Sequence, residues 1–316
     1  MTGAPMAILC SGQGTQHAGM FDLVAQASEA QPILEAARSA LGGEDPRELA
    51  RRADAATLFS NRIGQILCCT QALAAWAVIR PHLSIPVVIA GYSVGELAAW
   101  GCAGLLNPAD LLRLALTRAE VMDEAAAGSH TGLIAFSGLS HARLEALCRQ
   151  HGAHIAIVNG EDSFIVGGAR DALKNLGEEA RKAGAKGVTV LRVAVASHTP
   201  LLADASRRFS EALGRVHLPN GLPEGVRLLS GVDGETVLDV REGRQKLAAQ
   251  ISQAVDWAAC LDSCLAAGVK TVLELGPGRA LAAMARQKLP QALVRSVDDF
   301  RVPAGILDWL NRLSIR

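Results

Sequence analysis

The sequence predicts an α/β fold carrying an inserted, smaller ferredoxin-like (βαββαβ) unit. Two rhythms predict it. Short apolar, β-branched runs alternate with helical patterns through most of the chain, and between about 128 and 197 the order changes to β-α-β-β-α-β. A third observation, a glycine-flanked serine between a strand and a helix, places candidate chemistry in the larger part.

The elements follow in order. Met6 to Ser11 reads as a first strand running into Gly12-Gln13-Gly14, and Arg62 to Ile79 as a long alanine-rich helix ended by Pro81. Ile85 to Ala90 is a continuous β-branched run of the kind buried in parallel sheets; Gly91 breaks it, and Glu96 to Trp100 is helical. Asn107-Pro108 supplies an N-cap and a first-turn proline for a helix running to about Ala127, where Gly128 stops it. In the insert, Leu133–Ser137, Ile155–Val158, Phe164–Val166 and Val188–Ala196 are strands, and Ser140–His151 and Asp171–Ala183 are helices. Gly160-Glu161-Asp162 turns between the middle strands. Pro219–Gly225 is an irregular loop, and Val272–Leu275 is a last core strand closed by Gly276-Pro277-Gly278. The expected division is residues 1–127 and 198–316 for the large domain and 128–197 for the small one.

Composition narrows the function. Half the residues are apolar and only 20% are charged, which excludes intrinsic disorder; 31 basic against 31 acidic side chains give no nucleic-acid surface. No apolar run approaches the ~20 residues of a spanning helix, and the N-terminus lacks a secretory pattern, so neither membrane nor export is expected. Seven cysteines without a Cys-x-x-Cys pair or zinc spacing read as reduced core thiols in a cytoplasmic protein, with no metal.

Gly91-Tyr92-Ser93-Val94-Gly95 matches Gly-x-Ser-x-Gly. Small neighbours let a strained strand-to-helix turn close, and the helix N-terminus offers N–H groups to developing negative charge. An ordinary glycine-flanked turn is the alternative. A nucleophilic serine needs a base. His198 lies just past the predicted strand Val188–Ala196, whereas His141, His151 and His154 read as surface or capping residues. Arg118 has Leu114, Ala115, Val121 and Met122 as its helical neighbours. A guanidinium there needs a tertiary carboxylate, an anionic ligand or a route to solvent. Gly12-Gln13-Gly14-Thr15-Gln16 lacks both the third glycine of a dinucleotide fingerprint and the lysine of a P-loop, and suits a loop aiming one backbone N–H at an oxyanion.

Together these residues resemble the malonyl-CoA:acyl-carrier-protein transacylase family. Gly12 to Gln16 is similar to its Gly-Gln-Gly-Ser-Gln, and Gly91 to Glu96 to its Gly-His-Ser-Leu-Gly-Glu. Thr117 to Met122 resembles its arginine-bearing helix, Asn159 to Gly167 its Asn-Ser stretch, and Ser197-His198 its histidine. Gln250 with Val255 and Trp257, and Glu274 to Gly278, resemble its closing motifs. The match runs in order along nearly the whole chain. The resemblance implies an α/β-hydrolase-like large domain and a ping-pong mechanism. Ser93 would be the nucleophile and His198 its base, oriented by the backbone carbonyl of Gln250. Backbone N–H groups of Gln13 and Val94 would form the oxyanion hole. Arg118, with Gln65 near it, would bind the malonyl carboxylate, and Asn159 and Tyr92 would border the substrate. Malonyl-CoA would be the donor and the phosphopantetheine-type thiol of an acyl carrier protein the acceptor, with no bound cofactor. Tyr92, which departs from the family's histidine, and Arg295 to Arg301 are most similar to the malonyl-transferring subunit of biotin-independent malonate decarboxylase, which would add other decarboxylase subunits as partners. Fatty-acid or polyketide synthesis is the alternative setting. A serine esterase, or a non-catalytic subunit that docks a carrier protein, are the readings from other classes.

Overall fold

A computed structural model describes residues 4–83, 85–191 and 193–314. Five strands form the first sheet: β1 (Met6–Cys10), β2 (Val87–Gly91), β7 (Val226–Leu228), β9 (Thr271–Glu274) and β10 (Leu293–Ser296). Their order is β10-β9-β1-β2-β7 and every pairing is parallel. Helices cover both faces, so β1 and β2 are buried at every position, which is why they read as unbroken apolar runs. Met6, Ile8 and Cys10 face one core, while Ala7 and Leu9 face the other.

The first core is filled by α1 (Gln31–Ala40), α2 (Pro46–Arg52), α3 (Ala55–Leu58), α4 (Asn61–Ile79), α5 (Gly95–Cys102) and α6 (Pro108–Ala126). Helix α4 and the turn after it are long and apolar enough to cross a membrane, yet 83% of that window is buried inside this fold. The apolarity is that of a core helix packed on α5 and α6.

The second sheet contains β3 (Thr131–Ser137), β4 (His154–Gly160), β5 (Ser163–Ala169), β6 (Gly187–Val190) and β8 (Val255–Asp256), in the order β6-β3-β5-β4-β8. Its pairings are antiparallel except β4 with β8. Helices α7 (His141–His151) and α8 (Arg170–Lys182) close a small core of their own over it. The two-residue β8 comes from beyond the insert, and Leu133, Ala156 and Ile157 join the core of the first sheet.

One strand is shorter than the sequence predicts. Where Val188–Ala196 was expected, β6 stops at Val190, and the last rung is Leu191 N–H to the Leu133 carbonyl. Beyond it the backbone finds other partners: the Ala194 carbonyl accepts from the Thr131 hydroxyl, and His198 N–H donates to the Ile251 carbonyl at 2.8 Å. Val195 and Ala196 are buried there without belonging to a ladder, so apolarity alone mimicked a strand. The remainder of the chain supplies α9 (Ala203–Gly214), α10 (Val240–Ala249), α11 (Trp257–Ala266), α12 (Ala280–Lys288) and α13 (Pro303–Ser314).

Because β1 and β2 are adjacent and parallel, the loops leaving their carboxyl ends lie side by side. Tyr92 N–H donates to the Cys10 carbonyl at 3.0 Å. A Cβ on Gly95 would sit 2.1 Å from that same carbonyl oxygen, so only glycine lets α5 start this close to β1.

Candidate active site

The turn between β2 and α5 holds Ser93 at φ 56°, and His198 lies at φ 63°; among the described residues these are the only non-glycine positions with positive φ. Each such conformation costs about 1–3 kcal/mol and persists only where the surroundings impose it. Here both serve one contact: Ser93 Oγ and His198 Nε2 are 2.8 Å apart. His198 Nδ1 is 2.6 Å from the Gln250 carbonyl oxygen. A carbonyl can only accept, so Nδ1 carries the proton and Nε2 is left as the acceptor for the serine hydroxyl. Burial, with the nearby charge of Arg118, pushes the His198 pKa down to about 3, so the free imidazole is neutral at physiological pH.

Gln250 gathers several groups. Its backbone carbonyl holds His198, and its side-chain Nε2 donates to the Ser93 carbonyl at 3.1 Å and to Glu96 Oε2. Its Oε1 accepts from Arg118 Nη2 at 3.3 Å.

Arg118 is 2% exposed and makes no ion pair with a carboxylate among the described residues. Its guanidinium donates to two amide oxygens, Gln65 Oε1 at 2.8 Å and Gln250 Oε1 at 3.3 Å. Burial lowers its pKa to about 10, which leaves it cationic at neutral pH. Of the three arrangements open to it from the sequence, a route to solvent and a directly paired carboxylate are absent among the described residues. Gln65 is oriented in turn, because its Nε2 donates to Asn61 Oδ1 at 2.7 Å, and Asn61 Nδ2 donates to Asp123 Oδ1 at 2.8 Å.

The loop after β1 runs past the serine turn. Ser11 Oγ donates to Glu274 Oε1 at 2.7 Å, Thr15 Oγ1 to the Pro277 carbonyl at 2.6 Å, and Gln13 Nε2 to the Asn61 carbonyl at 3.3 Å. Among the described residues the backbone N–H groups of Gln13 and Val94 have no hydrogen-bond acceptor. Two unpaired donors on neighbouring loops beside a serine have the chemistry of an oxyanion site. A cleft of about 710 Å³ borders the loop after β1, lined by Gln13, Gly14, Ser60, Asn61 and Asp123 together with Val190, Leu191 and Val193; Ser93, His198 and Arg118 do not line it.

Tyr92 and Asn159 form a second pair at this junction, the phenol donating to Asn159 Oδ1 at 3.1 Å while the ring packs edge-on against Trp257 with centroids 5.5 Å apart. Tyr92 thus ties the serine turn to β4 of the second sheet. His141 lies exposed at the start of α7, and His151 pairs with Glu179 at 3.0 Å. Three participants carry no role in the sequence reading: Glu96, Asn61 and Asp123. Asn61 and Gln65 are one helical turn apart, and Ser93 and Glu96 three residues apart, which is the local signal available for them. All seven cysteines are free and buried. Among the described residues no cluster of three or more His, Cys, Asp or Glu could hold a metal ion.

The family model described as "Acyl transferase domain" matches residues 8–302. The chain is 29% identical over 289 residues to the malonyl CoA-acyl carrier protein transacylase of Salmonella typhimurium, covering 89% of this chain and 92% of that protein. The solved malonyl CoA-acyl carrier protein transacylase of Coxiella burnetii has a TM-score of 0.90 to it at 25% identity, over 98% of both chains. An acyl-carrier-protein S-malonyltransferase from Burkholderia pseudomallei has a TM-score of 0.89 at 27% identity, over 97% of this chain and 99% of that one. The α/β class with two sheets, expected from the sequence, is the fold these structures share.

Proposed function

The chain belongs to the family of acyl transferase domains, and on that footing we propose that it moves a malonyl group from malonyl-CoA to the prosthetic thiol of an acyl carrier protein. The observation that carries the reading is Arg118: a buried cation with no directly paired carboxylate among the described residues, joined through the Gln250 amide to the backbone of the nucleophile. A ligand that supplies a carboxylate at one end and an acyl carbon at the other satisfies both groups.

The geometry supports the following mechanism for that transfer. His198 Nε2 takes the Ser93 proton as Oγ attacks the thioester carbonyl, and the Gln250 carbonyl stabilises the imidazolium through Nδ1–H. The Gln13 and Val94 N–H groups receive the oxyanion, donors of a kind worth about 3–4 kcal/mol each. Collapse expels the CoA thiolate, which takes the proton from His198 and leaves a malonyl ester on Ser93. The carrier thiol then attacks that ester as His198 accepts its proton, and Ser93 leaves reprotonated. Side chains and backbone donors suffice for each step. An esterase would leave the guanidinium without a purpose, and a docking subunit would not need a neutral histidine 2.8 Å from a strained serine.

The transacylase activity is the reading that the relatives' names favour. The narrower assignment to malonate decarboxylase rests on Tyr92 and the segment Arg295–Arg301, and differs from it in the acceptor: a carrier bearing a CoA-derived prosthetic group, found among copurifying subunits. Intact-mass measurement after mixing with malonyl-CoA tests the core of the proposal. A malonyl adduct on Ser93, discharged by carrier thiol, is expected; an unmodified protein refutes it.

A further inference from the structure

Glu96 is fully buried three residues after the nucleophile, and the mechanism above makes no use of it. Its Oε2 accepts from Gln250 Nε2, while its Oε1 has no hydrogen-bond partner among the described residues. Such a carboxylate is costly unless a cation compensates it. The cation at hand is Arg118, on the far side of the same amide: Gln250 Nε2 faces Glu96 and Gln250 Oε1 faces the guanidinium. The amide has one workable orientation. Flipped, it would turn its oxygen toward the carboxylate and its NH₂ toward the guanidinium, two repulsive contacts in place of two hydrogen bonds. Gly231 closes the site from the third side; a Cβ there would lie 2.5 Å from Glu96 Oε2.

We propose that Glu96 is the resident counter-charge of Arg118, and that it takes up a proton from solvent when the carboxylate of an incoming acyl group docks on the guanidinium. The inference rests on the malonyl-transfer reading and adds a positioning residue to it. Two carboxylates sharing one buried cation cannot both stay ionised cheaply. The substrate's carboxylate reaches the guanidinium directly, whereas Glu96 reaches it through an amide, so Glu96 is the one discharged. The charge balance closes, since one negative charge enters the pocket with the substrate and one is cancelled by the proton. The titratable groups facing Glu96 are Arg118 of α6, Asp233 of the turn after β7 and Cys260 of α11. Burial, the largest influence, raises the Glu96 pKa to about 7, opposed by hydrogen bonds from Gly231 and Gln250 and by the charge of Arg118. The carboxylate is therefore poised to change protonation near neutral pH. His198, held near 3, is not a competing proton acceptor.

The test is calorimetric titration of the Ser93→Ala protein, which cannot form the ester, with malonyl-CoA in buffers of different ionisation enthalpy. Acetyl-CoA serves as the control for the shared CoA portion. At pH 8 malonyl-CoA binding should consume up to about one proton more than acetyl-CoA binding, and the difference should shrink below pH 6, where Glu96 is already protonated. Malonyl-CoA affinity should weaken above pH 7 by up to about tenfold per pH unit. Adding Glu96→Gln should abolish both effects while leaving malonyl-CoA binding in place. Malonyl-CoA binding with no excess proton uptake overturns the inference alone. A Ser93→Ala protein that binds acetyl-CoA as well as malonyl-CoA, with no preference for the carboxylate, overturns the malonyl reading and this inference together.

Discussion

Replacing Arg118 by alanine separates recognition from chemistry. The guanidinium donates to Gln65 and Gln250 and, among the described residues, makes no hydrogen bond to Ser93 or His198. After its removal Gln250 keeps three of its bonds, to His198 Nδ1, the Ser93 carbonyl and Glu96, so the catalytic pair stays in register. The truncated site would leave the malonyl carboxylate facing two amide oxygens, both acceptors. Losing one member of a buried ion pair costs about 3–5 kcal/mol. At 1.36 kcal/mol per decade this lowers kcat/KM for malonyl-CoA by about two hundredfold to several thousandfold. Acetyl-CoA has no carboxylate to lose, and its transfer should change by no more than about threefold, the effect of removing a neighbouring charge from a pocket already lined by dipoles. The assay is transfer of labelled acyl groups from each thioester to a carrier-protein thiol, with the acyl-enzyme followed by intact mass. Equal losses for the two donors would refute the carboxylate-clamp argument, and so would a malonyl loss of less than tenfold.

Two further outcomes rest on the same geometry. Gln250→Ala keeps the backbone carbonyl that orients His198 but deletes the amide between Arg118, Ser93 and Glu96; malonyl transfer should fall by about ten- to a hundredfold and acetyl transfer far less, read as the ratio of the two kcat/KM values. For pH dependence, the working form of His198 is the neutral one, and its pKa lies below the ordinary 6.5; protonation therefore begins only well on the acid side, and the single-turnover rate of acyl-enzyme formation at saturating malonyl-CoA should show no inflection at pH 6.5 down to pH 5, as rapid-quench measurements can establish.

What the sequence made legible divides by range. Met6–Cys10, Asn61–Ile79 and Pro108–Ala126 were readable within a residue or so of where the structure has them, because local chemistry marks their ends. Asn107 caps α6 with its side chain on Asp110 N–H at 2.9 Å, and Pro81 sits in the turn that ends α4. Val188–Ala196 was overextended because its last residues are buried by tertiary contacts that no local pattern records. β8 was not legible, since two residues paired with a strand almost a hundred positions earlier carry no periodicity.

The site shows the same division, and it explains which residues need coordinates. Ser93 announces itself through glycines, because only glycine at 91 and 95 lets the turn close: a Cβ at either would lie 2.1–2.2 Å from backbone atoms. Arg118 is conspicuous as a cation among apolar neighbours, although the sequence leaves open what neutralises it. Glu96 has neither signal. Within the first turn of an apolar helix it reads as an ordinary acid favoured by the helix dipole, a role that would leave it in water. Its burial is set by Gly231, Gln250 and Cys260, which lie more than a hundred positions away. A buried acid of this kind is visible only once a fold places a cation across an amide from it. Arg118 and Glu96 are therefore best understood as a single unit with Gln250 between them, whose net charge is held near zero before substrate arrives and is restored by a proton when a second carboxylate enters.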